Sequence, residues 1–151
     1  MMKYTTAMVT FEEIPTEVTL SISISNCQGR CVGCHSPELR EDIGTELTDD
    51  KLDFLIETNR GVSCVLFLGE GKSIDSLKKA ARRVRETHNL RVALYSGRDE
   101  MEDDLKRCFD YVKLGRYDAR FGPINKVMTN QRLFFQDPEK GWKDITDLFW
   151  K

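Results

Sequence analysis

A chain of 151 residues, 40% of them hydrophobic, is long enough to bury a real core and is expected to form one domain spanning 1–151, yet it is too short for a complete eight-unit β/α barrel of about 250 residues. The formal net charge is −2 with acidic and basic residues interspersed, which leaves no electrostatic footprint for nucleic acid. No apolar run approaches the roughly 18 residues that span a bilayer, Met1 to Thr6 lacks an apolar signal core, and five cysteines with three of them clustered do not read as a disulfide framework, so a cytoplasmic, reducing location is expected.

Tyr4 to Phe11 is a candidate edge strand. Val18 to Ser25 alternates apolar and polar residues with period two, as a half-buried strand does. Thr48 has the character of an N-cap, followed by Asp49 and Asp50 in a first turn and by Leu52, Leu55 and Ile56 on one helical face. Gly61 closes that helix, and Val62 to Leu68 forms a compact apolar strand. Ser73 starts the next helix, whose stripe is Ile74, Leu77, Ala81 and Val84. Its basic residues Lys78, Lys79, Arg82, Arg83 and Arg85 read as a solvated face, with docking of an acidic partner as the alternative.

His88 is expected at the surface of that helix's end, before the turn through Asn89 and Leu90. Arg91 to Tyr95 is a third strand, Met101 to Phe109 a short helix with Leu105 and Phe109 inward, and Tyr111 to Leu114 a fourth strand. Arg132 to Phe135 is a candidate peripheral strand, and Trp142 to Trp150 closes the chain. The alternation of strands and helices argues an α/β fold with a parallel sheet, whose reactive groups gather at the C-terminal ends of the strands. Four loops rich in glycine and polar groups fall there: the cysteine loop, Gly69-Glu70-Gly71, Ser96-Gly97-Arg98 and Gly115-Arg116-Tyr117-Asp118.

Cys27, Cys31 and Cys34 stand at the spacing Cys-x-x-x-Cys-x-x-Cys directly after the first alternating strand. Three thiolates in one short loop can ligate three irons of a 4Fe–4S cluster and leave the fourth open to a substrate or cofactor. Two other readings compete. A zinc site wants four ligands, with His35, Cys64 or Cys108 supplying the fourth, and would make the chain a zinc-stabilised binding module without catalysis. A redox dithiol at Cys31 and Cys34 leaves Cys27 unexplained. Cys64 in an apolar strand and Cys108 beside Phe109 read as small core residues, and His35 as a neighbour that tunes the cluster or packs over a cofactor.

This spacing after a strand resembles the signature of the radical S-adenosylmethionine enzymes. The resemblance implies a single-domain incomplete, open β/α barrel. It also implies that the open iron binds the amino and carboxylate groups of S-adenosylmethionine, which the reduced cluster cleaves to methionine and a 5′-deoxyadenosyl radical. Leu68-Gly69-Glu70 resembles that family's Gly-Gly-Glu element, with Leu68 in the first glycine position, and implies cofactor contacts at Gly69 and Glu70; a strand-ending turn with a solvated Glu70 is the bland alternative. Tyr95-Ser96-Gly97 looks like its hydroxyl-and-glycine turn and adds Ser96 and Gly97, although Ser96 is equally suited to cap the following helix.

Cys31 to Leu39, Val92 to Gly97, Phe109 to Asp118 and Thr129-Asn130-Gln131-Arg132 resemble more narrowly the activating proteins of anaerobic ribonucleoside-triphosphate reductase. That resemblance implies an enzyme that installs a glycyl radical on the reductase, with flavodoxin or ferredoxin as electron donor. A radical enzyme acting on a small molecule, or on another glycyl-radical enzyme, is the alternative of the same chemistry.

Overall fold

The computed structural model describes residues 2–25, 44–71, 73–98, 100–115, 120, 124, 126–127 and 129–150. Eight strands form one mixed sheet: β1 (Lys3–Thr10), β2 (Thr19–Ile24), β3 (Thr45–Glu46), β4 (Cys64–Leu68), β5 (Arg91–Tyr95), β6 (Tyr111–Leu114), β7 (Arg132–Asp137) and β8 (Gly141–Asp144), in the order β3-β1-β2-β4-β5-β6-β7-β8. The helices among the described residues are α1 (Asp49–Glu57), α2 (Ile74–Thr87) and the four-residue α3 (Asp103–Lys106), with a closing 3-10 turn at Thr146–Trp150. None is long and apolar enough to cross a membrane.

The expected open β/α barrel is therefore not the fold. Strands outnumber helices, and the sheet is a linear series that does not close on itself. The four central strands β2, β4, β5 and β6 are parallel, as the alternating pattern requires. Beyond them the pairing direction changes. β7 turns back antiparallel on β6, and β8 pairs with β7 through a tight turn at whose end Gly141 takes a positive φ of 80°. On the other flank β1 runs antiparallel to β2 and carries the short β3. A β/α barrel needs a crossover helix after each strand, and hairpins at the flanks remove that requirement.

The two faces of the sheet differ because the strands alternate. Leu20, Ile22, Ile24, Val65, Phe67, Val92, Leu94 and Val112 point to the face on which all three helices pack, through Leu52 and Ile56, Leu77, Ala81 and Val84, and Leu105 with nearby Phe109. Each large apolar side chain buried there contributes about 1.5–3 kcal/mol. The helix ends follow the caps read from sequence: Thr48 accepts from the Lys51 amide at 3.1 Å and Ser73 from the Ser76 amide at 3.2 Å. The expected helix over Met101 to Phe109 shortens to α3, with Phe109 buried just beyond it.

The opposite face carries Ser21 and Ser23 of β2, which bond Thr10 Oγ1 (2.7 Å) and Thr6 Oγ1 (3.1 Å) on β1. Toward the N-terminal ends of the strands this face is covered. Ile14 is fully buried there among Cys64, Leu66, Ala93, Tyr111 and Leu133, with Ile145 and Phe149 packed alongside. Burial pushes the Cys64 thiol far above its ordinary pKa, which fits a core residue. Beside it, the Glu17 side chain is 3% exposed and accepts from Ser63 Oγ (2.7 Å), Tyr111 Oη (2.6 Å) and Arg91 Nη1. Burial, then the Glu17 carboxylate, raises the Tyr111 hydroxyl to about 12.

The basic side chains of α2 turn partly inward on the molecule's own acids. Arg83 forks onto Asp53 of α1, with Nε at 2.8 Å from Oδ1 and Nη2 at 2.6 Å from Oδ2, while Lys79 reaches Asp49 and Arg85 reaches Asp110. His88 is not the surface group the sequence suggests: its side chain is 13% exposed and Nε2 lies 2.8 Å from Asp53 Oδ1. Arg83, with the His88 bond assisting, lowers the Asp53 carboxyl from 3.8 to about 2. A carboxyl depressed in the folded state stabilises above its unfolded pKa, and that contribution is lost as pH falls from about 4 toward about 2. Asp53→Asn should therefore flatten the fall in urea midpoint over that window relative to the unmodified protein, while lowering the midpoint near neutral pH.

The first strand also frames the cysteine segment. The Ser25 amide donates to Lys3 O at 3.0 Å on one side of β1, and β3 pairs with Lys3 and Tyr4 on the other. Gly44, with φ 98°, lies so close to Tyr4 O that a Cβ there would collide with it. Ser25 and Gly44, the described residues that flank positions 26–43, are thus both anchored on β1.

Candidate functional site

Register brings the strand ends to one level. Ser23 of β2 lies opposite Leu68 of β4, Leu68 opposite Tyr95 of β5, and Tyr95 opposite Lys113 of β6. The residues that follow, Ser25, Gly69 to Gly71, Ser96 to Arg98 and Gly115, therefore share one rim. Backbone bonds lace it together: Gly69 N to Tyr95 O (3.1 Å), Ser96 N to Lys113 O (2.9 Å) and Gly115 N to Arg98 O (2.6 Å).

Two glycines let the loops close up. At Gly71, φ is 71° and a Cβ would stand 3.0 Å from Ile24 Cγ2, 3.2 Å from Met2 Cγ and 3.8 Å from Ser25 O. The end of β4 thus abuts the point at which the cysteine segment departs. At Gly115, φ is 95° and a Cβ would stand 3.0 Å from Asn130 O. Gln131 is buried there and donates from Nε2 to Gly115 O at 3.3 Å, while its amide donates to Thr129 Oγ1 at 3.0 Å. The Thr-Asn-Gln-Arg element read late in the sequence is folded onto this rim.

Glu70 is at the centre. Its side chain is 12% exposed, too buried for a solvated turn carboxylate. Oε2 accepts from Ser96 Oγ, which in turn accepts from the Arg98 amide at 3.1 Å. Ser96 closes its own turn and orients Glu70; it does not cap a helix, since α3 begins only at Asp103 behind Glu102. Oε1 lies 2.9 Å from Arg98 Nη2, close enough for an ion pair. Yet it has no aligned hydrogen bond among the described residues, although the atom is buried. A buried carboxylate oxygen without an aligned donor is uncommon in a folded chain, and here the charge of the Arg98 guanidinium beside it offsets part of the cost.

Of the residues singled out from sequence, Gly69, Glu70, Ser96 and Gly97 come together on this rim, with the Gly69 amide already engaged by Tyr95 O. Cys27, Cys31, Cys34 and His35 lie outside the described residues, as do Arg116, Tyr117 and Asp118. Among the described residues no group of three or more His, Cys, Asp and Glu is placed to hold a metal ion. Arg98 stands out although the sequence marks it only as part of a loop. Its pairing with Glu70 and, at 3.4 Å, with Glu102 is set by the meeting of two strand ends.

No protein-family model, curated protein or solved structure matches the chain.

The rim offers one carboxylate, an ion-paired guanidinium with a side chain 41% exposed, and a hydroxyl committed to holding the carboxylate in place. Such a set suits the ammonium and carboxylate of an α-amino acid group. The donor set of the cysteine segment, three thiolates, suits an iron–sulfur cluster with one iron free.

Proposed function

We propose that this protein is a radical S-adenosylmethionine enzyme that activates anaerobic ribonucleoside-triphosphate reductase by installing a glycyl radical, working in the cytoplasm with flavodoxin or ferredoxin as electron donor. One observation carries the reading. The buried Glu70 carboxylate, whose Oε1 has no aligned hydrogen-bond donor among the described residues, lies on the rim that carries Ser25, two positions before Cys27 of the Cys27, Cys31, Cys34 motif. The partner and the target glycine rest on the resemblance of Cys31 to Leu39, Phe109 to Asp118 and Thr129 to Arg132 to the activating proteins.

In this reading Cys27, Cys31 and Cys34 hold a 4Fe–4S cluster, and the Glu70 loop holds the methionine end of S-adenosylmethionine. A cluster and cofactor so held would supply one-electron cleavage of the sulfonium bond, to methionine and a 5′-deoxyadenosyl radical able to take a hydrogen atom from glycine. The chain's own residues bind and orient. Glu70 accepts from the ammonium, Ser96 keeps the carboxylate aimed, and Gly69 and Gly97 allow backbone to approach. The apolar row beneath, Leu68 and Tyr95, limits water at the strand ends.

The test is anaerobic. Reconstituted protein, S-adenosylmethionine, reductant and reductase should together give a glycyl doublet by electron paramagnetic resonance and about one 5′-deoxyadenosine per radical, as one hydrogen transfer requires. Cofactor cleavage coupled to turnover of a small metabolite, with no protein radical, would move the reading to a small-molecule enzyme. A colourless protein holding zinc would return it to a binding module.

A further inference from the structure

We infer that the outer edge of β1, from Thr6 to Phe11, takes up an extended strand of another protein, a run of uncharged residues with Lys or Arg at each end.

The two edges of the sheet are built differently. β8 closes one side and is short, Gly141–Asp144, with Lys143 and Asp144 charged and exposed. Short length and charge are how a sheet edge is ordinarily kept from pairing with another chain. β1 forms most of the other side, because β3 covers it only at Lys3 and Tyr4. Past Tyr4 no strand among the described residues pairs with its outer edge, and neither a charge nor a proline stands between Tyr4 and Phe11. Met8 lies on the face of Ser21 and Val9 on the face of Leu20, and both are exposed, at 57% and 37%. Phe11 and Val18, also exposed, carry the apolar surface past the end of the strand pair. An added strand would gain main-chain bonds along this edge and apolar contact on both faces.

Charge decides the occupant. Glu46 of β3 stands exposed near one end of the open edge and Glu12 at the other. Two copies of this chain pairing antiparallel over Thr5 to Phe11 would run Glu12 of each toward Tyr4 of the other, where Thr45 already holds the edge and Glu46 follows. Two-fold symmetry makes that meeting of acids occur twice, which disfavours self-pairing. A foreign strand with a cation at both ends meets an acid at each, and its uncharged middle lies along Thr6 to Thr10. Thr10 pairs with Thr19 at the start of β2, so the edge runs away from the Glu70 rim. The inference therefore stands apart from the chemistry proposed there.

The experiment titrates the full chain with two peptides, acetylated Lys-Thr-Val-Thr-Val-Thr-Val-Lys and the same sequence with Glu at both ends. The Lys-ended peptide should bind with a Kd below about 1 mM and about tenfold more tightly than the Glu-ended one. On binding, amide hydrogen exchange should slow by about tenfold or more over Thr6 to Thr10 and stay unchanged at Gly69 to Gly71. Val9→Lys places a charge on the exposed edge and should abolish binding while circular dichroism remains that of the folded protein. Glu12→Lys combined with Glu46→Lys should reverse the order of the two peptides, a result that nonspecific adhesion to an apolar surface does not give. No binding at about 1 mM, binding without protection of Thr6 to Thr10, or indifference to the peptide's ends would overturn the inference. So would a dimer in sedimentation that Val9→Lys dissociates, since it would give the edge to a second copy.

Discussion

Replacing Cys27, Cys31 or Cys34 singly with alanine is expected to abolish the proposed cleavage of S-adenosylmethionine and to strip most of the iron, whereas Cys64→Ala and Cys108→Ala should retain both. This is the largest effect expected anywhere in the chain. Three thiolates on four irons leave one iron open, so in this reading the loss of any one leaves too few ligands to hold the cluster. Cys64 is fully buried in β4 with its thiol held protonated, and Cys108 packs half-buried against the helical face. Neither is presented for ligation. Iron and sulfide analysis with 5′-deoxyadenosine quantified by chromatography reads the series. A variant at Cys64 or Cys108 that loses its iron, alongside a dispensable cysteine in the loop, would reassign the ligands. Cys64→Ala also removes a buried sulfur, so its melting temperature is measured in parallel.

The second large effect is on stability. Glu17→Ala is expected to cost about 2–4 kcal/mol in urea unfolding, with the slope of the transition unchanged. The carboxylate is nearly fully buried and receives Ser63, Tyr111 and Arg91 together. Its removal orphans the Tyr111 hydroxyl in the core and loosens the segment that seats Ile14 over Cys64, Leu66 and Ala93. Glu17→Gln keeps one acceptor and the shape of the side chain, so it should lose less, about half as much. A loss under about 0.5 kcal/mol for Glu17→Ala would mean that the apolar contacts of Ile14 hold the segment unaided. Activity measured well below the unfolding midpoint should be unaffected, because this network sits at the opposite ends of the strands from Glu70.

The parallel centre of the sheet was legible because its signals are local. Alternation in β2, compact apolar runs in β4 and β5, and the caps Thr48 and Ser73 each occupy a few neighbouring residues. The barrel was implied by the resemblance of the cysteine spacing to the radical S-adenosylmethionine enzymes, and the repeat itself argued only a parallel α/β sheet. That expectation fails where pairing direction decides, since Arg132 to Asp137 reads equally well as a strand whether it runs along β6 or back against it. β3, two residues long, carries no periodic signal at all. The polar side of β2 looked solvated, yet Ser21 is buried because β1 supplies hydroxyl partners for it.

The candidate site divides the same way. Gly69, Glu70, Ser96 and Gly97 were found by their places at strand ends. That Ser96 donates to Glu70 across 26 positions, or that Arg91 reaches Glu17 across 74, has no local mark. Arg98 was passed over for that reason, its meaning arising only where two strand ends meet. His88 was misjudged likewise, because its partner Asp53 lies on another helix.

The two anchor points on β1 bear on how readily iron is captured. Ser25 and Gly44 sit on either side of one strand, about 10 Å apart at ordinary strand spacing, with eighteen residues between them. Bringing together the ends of a free segment of that length costs about 2.6 kcal/mol plus a constant. Here the sheet has already met that cost before any metal arrives. If the three thiolates of that segment hold the proposed cluster, fixing its two ends would raise their effective concentration toward it. Lys3 and Tyr4, remote from every reacting atom, would on this account govern how tightly the protein retains its cluster.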